Sequence, residues 1–218
     1  MFTEFLDACA ANPSTCRLAR KNATGNDLKI AVERALEDLR YNPMQVGTSL
    51  PVEYSKVKGI LFDQLKAPAM YPYIARTFDA LLSGNMSAII QFWKTFASGS
   101  SGEGDEAFWG IRCGEKSIRA SRLADLRPVA EQLHNASKNF GDTWTSIPFT
   151  CAQWKIRAKE VYQGNFQVRT RNPALITANT YDPITPLASA RNLSAALEGS
   201  VLLENRYLGV SQIHTSHD

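Results

Sequence analysis

The sequence predicts an α/β protein: a helical cap followed by a single β-α-β unit of a parallel sheet. Three observations predict it. Residues 26–97 contain four segments with apolar residues at helical spacing. "PALITANT" (173–180) is a largely apolar run of strand length, as in a buried parallel strand. "TPLASARNLSAALEG" (185–199) and "SVLLE" (200–204) then supply a helix and a second strand, whose crossover should be right-handed.

The helices can be taken in order. "NDLKIAVERALEDL" places Leu28, Val32, Ala35, Leu36 and Leu39 on one face, with Asn26 or Asp27 as N-cap. "SKVKGILFDQL" repeats the pattern with Val57, Ile60, Leu61 and Leu65. "YPYIARTFDALLSG" has Pro72 in its first turn and Gly84 just past its end, the asymmetry expected of a helix. "MSAIIQFWKTFA" aligns Ile89, Ile90, Trp93 and either Phe96 or Ala97. "SGSSGEGDE" (98–106) reads as a surface loop. "FWGIRCGEK" is a short strand candidate, and "SRLADLRPVAEQLHNASKNF" a further amphipathic helix. In the tail, Thr185 is the expected N-cap, Pro186 the first helical residue and Gly199 the C-cap. One β-α-β unit leaves a parallel sheet short of strands, so residues 1–107 read as a cap and 108–218 as the last part of a larger sheet. The four tryptophans, Trp93, Trp109, Trp144 and Trp154, read as core anchors rather than substrate platforms.

Bulk properties exclude several classes. A chain of 218 residues can bury one core, or one core plus a cap. The net charge of +3 is near balance and the Lys and Arg are scattered, which argues against nucleic acid as a partner. No apolar run approaches the roughly 20 residues of a membrane span. The four cysteines form no CxxC pair, and the three histidines (134, 214, 217) are not at ligand spacing to them, so no metal is expected. An even count with one local pair fits two disulfides, Cys9–Cys16 and Cys113–Cys151, with buried free thiols as the alternative. Four N-x-S/T sequons, at Asn22, Asn85, Asn135 and Asn192, join the cysteines in favouring a secreted glycoprotein. "MFTEFLDACAANPSTC" has neither a basic n-region nor an apolar h-region. Secretion would then require unconventional export or a true N-terminus lying upstream.

Asp182 is the residue that chemistry singles out. It stands just after the first strand of the unit, at the carboxyl edge where open α/β sheets gather ligands and catalytic groups. The plain alternative is a turn former, since Asx-Pro initiates turns well.

Three segments carry a resemblance. "DPITP" (182–186), the "CAQWKIRAKEVYQGNFQVRTRNP" stretch with its Cys-x-x-Trp, and "GIRCGE" (110–115) occur in the order found in tripeptidyl-aminopeptidase-like α/β-hydrolases, relatives of the prolyl aminopeptidases. The C-terminal half resembles that family in motif, the helical part in pattern. In the third motif Glu115 stands where the family usually has Asp.

The resemblance implies a partial α/β-hydrolase fold with a TAP-like C-terminal segment. It implies that Asp182 is the triad acid, accepting the Nδ1–H of a catalytic His. The family's Gly-His pair would fall near 209–211, where this chain reads "LGVS"; His214, a few residues later and followed by Thr215 and Ser216, is the candidate base. A divergent chain end is the alternative, with His217 second and His134 a surface residue. No nucleophile is found: "GSSGE" (99–103) is the nearest approach to G-x-S-x-G, but no apolar strand precedes it and Glu103 fills the last Gly position. Glu115 is a candidate for binding a peptide amine, or else a solvated loop carboxylate.

The expected activity is release of N-terminal residues or tripeptides from short peptides through an acyl-enzyme, with no metal or organic cofactor and with this chain inactive alone. Two alternatives remain: a degenerate paralogue acting as a peptide-binding module, and an ester or lipid hydrolase of the same fold.

Overall fold

The structure, a computed structural model, describes residues 1–45, 51–96 and 105–210. The chain divides into two compact units, one made of Met1–Phe96 with Gly164–Asp218, the other of Ala97–Gln163.

The first unit opens with a helix, α1 (Phe2–Ala11), which the helical patterns of residues 26–97 do not include. Phe2, Phe5, Leu6 and Cys9 follow i, i+3, i+4, i+7 spacing and are all buried, so the apolar face is present but short. The Cys9–Cys16 disulfide then folds the chain back. Helix α2 (Gly25–Tyr41) buries Leu28, Val32, Leu36 and Leu39, the expected face. Its cap is Thr24, not Asn26 or Asp27. The Asp27 amide donates to Thr24 Oγ1 at 3.2 Å, and Asp27 Oδ2 accepts from the Thr24 amide at 2.8 Å. This reciprocal pair is a capping box. Helix α3 (Tyr54–Leu65) buries Val57, Leu61 and Leu65. A 3-10 turn, Pro68–Met70, leads into α4 (Tyr71–Ser83), which buries Ile74, Ala75 and Phe78. Gly84, at φ 67°, ends α4 in the left-handed conformation that glycine adopts without a Cβ penalty. Helix α5 (Met86–Phe96) buries Ile89 and Trp93. Tyr71 meets Phe5 edge-to-face at 5.1 Å, joining α4 to α1.

The second unit holds α6 (Asp105–Glu115), α7 (Arg127–Ala136) and α8 (Ser146–Ala152). Here the strand expected at "FWGIRCGEK" is corrected: those residues lie in α6 and the turn after it. Cys113 is 0 % exposed and bonded to Cys151, also 0 % exposed, so the disulfide pins α6 to α8. A helical turn satisfies its backbone locally, whereas an isolated strand there would need a ladder partner. The helix expected from 121 to 140 is shorter than its pattern, with a 3-10 turn at Leu123–Leu126 preceding α7. Pro128 sits in the first turn of α7, which sets its start.

The chain rejoins the first unit at Gly164. Strand β1 (Val168–Arg169), β2 (Leu175–Tyr181), helix α9 (Leu187–Ala196), β3 (Leu197–Glu198) and β4 (Val201–Leu208) follow. β2 and β4 pair in parallel, with Leu175 opposite Val201 and Asn179 opposite Asn205; β1 and β3 form a second, two-residue parallel pair. The β-α-β unit expected from 173 to 204 is therefore present, with β4 running four residues past "SVLLE". Pro186, rather than Thr185, occupies the N-cap of α9. Among the described residues β2 has no partner but β4. Leu175 at 67 %, Val201 at 59 % and Leu203 at 56 % exposed stand in solvent where a wider sheet would bury them.

Candidate active site

The site is built where β2 ends. Its apolar run carries the chain to Tyr181, and Asp182 follows at the carboxyl edge of the parallel pair. Asp182 is 6 % exposed. Its Oδ1 accepts the backbone N–H groups of Ile184 and Thr185, both at 2.8 Å, and its Oδ2 accepts from Thr185 Oγ1 at 2.7 Å. These three donors compensate the desolvation of a buried carboxylate. They also close the "DPIT" turn that starts α9. The turn role weighed for Asp182 is thus real, and it fixes the carboxylate rather than competing with a chemical use of it.

A second set of contacts fixes the neighbouring strand end. Asn179, 3 % exposed, donates from Nδ2 to the Gly209 carbonyl at 3.1 Å and accepts at Oδ1 from Asn205 Nδ2 at 3.3 Å. The Gly209 amide donates to the Tyr181 carbonyl at 3.3 Å, and the Val210 amide to the Lys66 carbonyl at 3.0 Å. Gly209 has φ 101°, and a Cβ there would lie 2.6 Å from the Lys66 oxygen and 2.9 Å from Pro68 Cδ. Only glycine fits both the conformation and the approach. Between the pairs Asn179–Asn205 and Tyr181–Leu208, β4 carries one residue more than β2, a bulge-like irregularity just before the clamp. The exit of β4 is therefore held beside the last residues of β2, immediately before Asp182.

Charged and phenolic groups nearby have other roles. Arg191 of α9 pairs with Glu204 of β4 at 2.9 Å, and Thr180 Oγ1 donates to the same carboxylate at 3.1 Å. The Arg191 hydrogen bond comes first among the causes that hold Glu204 below the usual carboxylate range. As an exposed pair it links α9 to the strands but adds little stability. Burial, followed by the charges of Tyr207 and Glu4, pushes the Tyr71 phenol up to about 12. Tyr71 is thus a neutral hydroxyl at physiological pH and not a base.

Of the other residues singled out by sequence, Glu115 is exposed at the end of α6 in the second unit. His134 is exposed in the last turn of α7, as a surface residue would be. Trp93 is a core anchor at 4 % exposed, while Trp109, Trp144 and Trp154 are half-buried. His214, His217 and the "GSSGE" segment lie outside the described residues. The four cysteines are consumed in two disulfides, and the described residues contain no cluster of His, Cys, Asp and Glu able to hold a metal ion. Sequence reasoning missed Asn179 and Gly209. The available signals were an amide inside an apolar strand run and a glycine just past the end of the second strand.

Asp182 is thus a buried carboxylate on a fixed turn after a parallel strand, at the edge where open α/β sheets gather ligands, with the exit of β4 clamped beside it. Residues 136–218 match the family model described as TAP-like protein. Comparison with curated proteins returned no match.

Proposed function

We propose that this chain is the cap and closing β-α-β segment of a secreted serine peptidase that releases N-terminal residues or tripeptides from short peptides. The observation that carries this reading is Asp182, buried and hydrogen-bonded at the carboxyl end of β2 within the matched family segment. In the proposed mechanism its carboxylate accepts Nδ1–H from His214, fixes the imidazole tautomer and stabilises the imidazolium as an acyl-enzyme forms and breaks down. In this reading residues 1–107 serve as the lid. The two disulfides support an oxidising compartment, and no helix among the described residues is long and apolar enough to cross a membrane.

The sequence offers no G-x-S-x-G on a strand-to-helix turn, and the two-stranded parallel pair exposes apolar residues that further strands would cover. In this reading none of these 218 residues is the nucleophile. Two experiments test this. The purified chain, incubated with a serine-directed fluorophosphonate and with tripeptidyl arylamides, should neither label nor turn over; stoichiometric labelling would overturn the missing nucleophile. Joined behind the nucleophile-bearing part of a TAP-like hydrolase, the chain should support arylamide hydrolysis that falls about 10⁴-fold on Asp182→Asn. Activity indifferent to that change would remove Asp182 from the reaction.

A further inference from the structure

The helical part of the first unit contains a cavity that none of the chemistry above uses. It is about 360 Å³, within the range of small-ligand sites, and it runs between α4 and α5. Two of its lining residues, Ala80 of α4 and Ala88 of α5, contribute only a Cβ each and so leave the space open. Tyr73 and Phe92 supply aromatic wall, while Arg76 of α4 and Arg17 supply charge.

Both cations are exposed, and the fold fixes the backbone positions from which their side chains extend. Arg17 lies between Cys16, held by its disulfide, and Leu18, which is 0 % exposed, so its backbone cannot drift. Arg76 projects from the middle of α4 over the Tyr73 ring, 6.0 Å from its centroid. The cavity also contains one carboxylate, Asp79, but that group is already paired with Arg20 at 2.7 Å. Among the described residues neither Arg17 nor Arg76 has a carboxylate partner. The hollow thus combines two guanidinium groups in excess with aromatic surface, and guanidinium forks match carboxylates in bidentate geometry.

We propose that the groove between α4 and α5 binds a carboxylate carried on an apolar group, in the form presented by the C-terminus of a short apolar peptide. The aromatic rings take the side chain and the two guanidinium groups take the carboxylate. This binding stands apart from the hydrolase reading. It needs neither Asp182 nor a nucleophile, and it fails or holds without reference to turnover.

The test is calorimetric titration of the full chain, at low salt, with N-acetyl-Ala-Phe bearing a free C-terminal carboxylate and with the same dipeptide as its C-terminal amide. The chain is produced without N-glycans, because Asn85 also lines the groove. The acid should bind about tenfold or more tightly than the amide, the ratio expected of hydrogen bonds to a charged group. Arg76→Gln and Arg17→Gln should each weaken the acid selectively, and together they should abolish the preference while leaving the melting temperature unchanged. Equal affinity for acid and amide, binding of neither, or a preference surviving in the double variant would each overturn the proposal. Inorganic phosphate serves as a further arm: if it displaces the acid and binds as tightly alone, the groove is a general anion site and the peptide assignment fails.

Discussion

Asn179 and Gly209 are joined by a buried hydrogen bond of 3.1 Å that ties the carboxyl end of β2 to the exit of β4. The bond makes Asp182 and the chain after β4 parts of one fixed corner, because Gly209 is also held by the Tyr181 carbonyl. Removing it should be expensive for its size. Asn179→Leu keeps the volume but leaves the Gly209 carbonyl buried without its donor, a loss of about 1–3 kcal/mol. Gly209→Ala meets both the positive φ and the Lys66 oxygen and should cost a comparable amount. Urea unfolding measures both. Hydrogen exchange at Val210 should accelerate in each variant, and unchanged midpoints would show that the clamp does not hold the corner.

Asp182 should separate its two roles by substitution. Asp182→Ala leaves the Ile184 and Thr185 amides without an acceptor and should destabilise by about 1–3 kcal/mol. Asp182→Asn retains an oxygen for those amides and should cost less. Equal melting temperatures for the two variants would contradict the turn geometry.

The disulfides should contribute unequally. Cys113–Cys151 spans 38 residues of sequence and Cys9–Cys16 spans 7. Loop-closure entropy of the unfolded chain then gives about 4 kcal/mol for the first and about 2 kcal/mol for the second. Paired Cys→Ala variants at each bridge, followed by denaturant unfolding, measure this. A larger loss at Cys9–Cys16 would reverse the expected order.

The α2 capping box should be pH-dependent. Bonds from the Thr24 amide and hydroxyl hold the Asp27 carboxyl below the usual carboxylate range. A carboxyl with a lowered folded-state pKa adds stability above its unfolded pKa, near 4, and loses it as pH falls through the folded value. Thr24→Ala should therefore destabilise the protein at neutral pH, where both halves of the box are intact. The gap between wild type and variant should narrow under acid. A constant gap from pH 7 to pH 2 would show that the Asp27 half of the box contributes nothing.

Much of this architecture was legible because single elements carried strong local signals. Helices α2 to α5 have clean apolar faces, and the Pro and Gly of the tail mark α9 and the strands beside it. What was not legible depended on partners distant in sequence. Cys113 lies in a short apolar stretch that reads equally as strand or helix; its disulfide to Cys151 goes with a helix. Thr24, Asn26 and Asp27 are equally good cap residues by type, and only the reciprocal bond to Asp27 distinguishes Thr24. Asp182 stood out through its motif, whereas Asn179 and Gly209 acquire meaning only when β2 and β4 lie side by side.

The central claim is that the Asp182 carboxylate serves a histidine. The most direct measurement is an NMR titration of the three histidines in the intact chain, compared with Asp182→Asn. A neighbouring carboxylate favours the imidazolium, so His214 should titrate above the ordinary value of about 6.5 in the wild type and return toward it in the variant. Three histidines that titrate identically in both proteins would contradict the pairing.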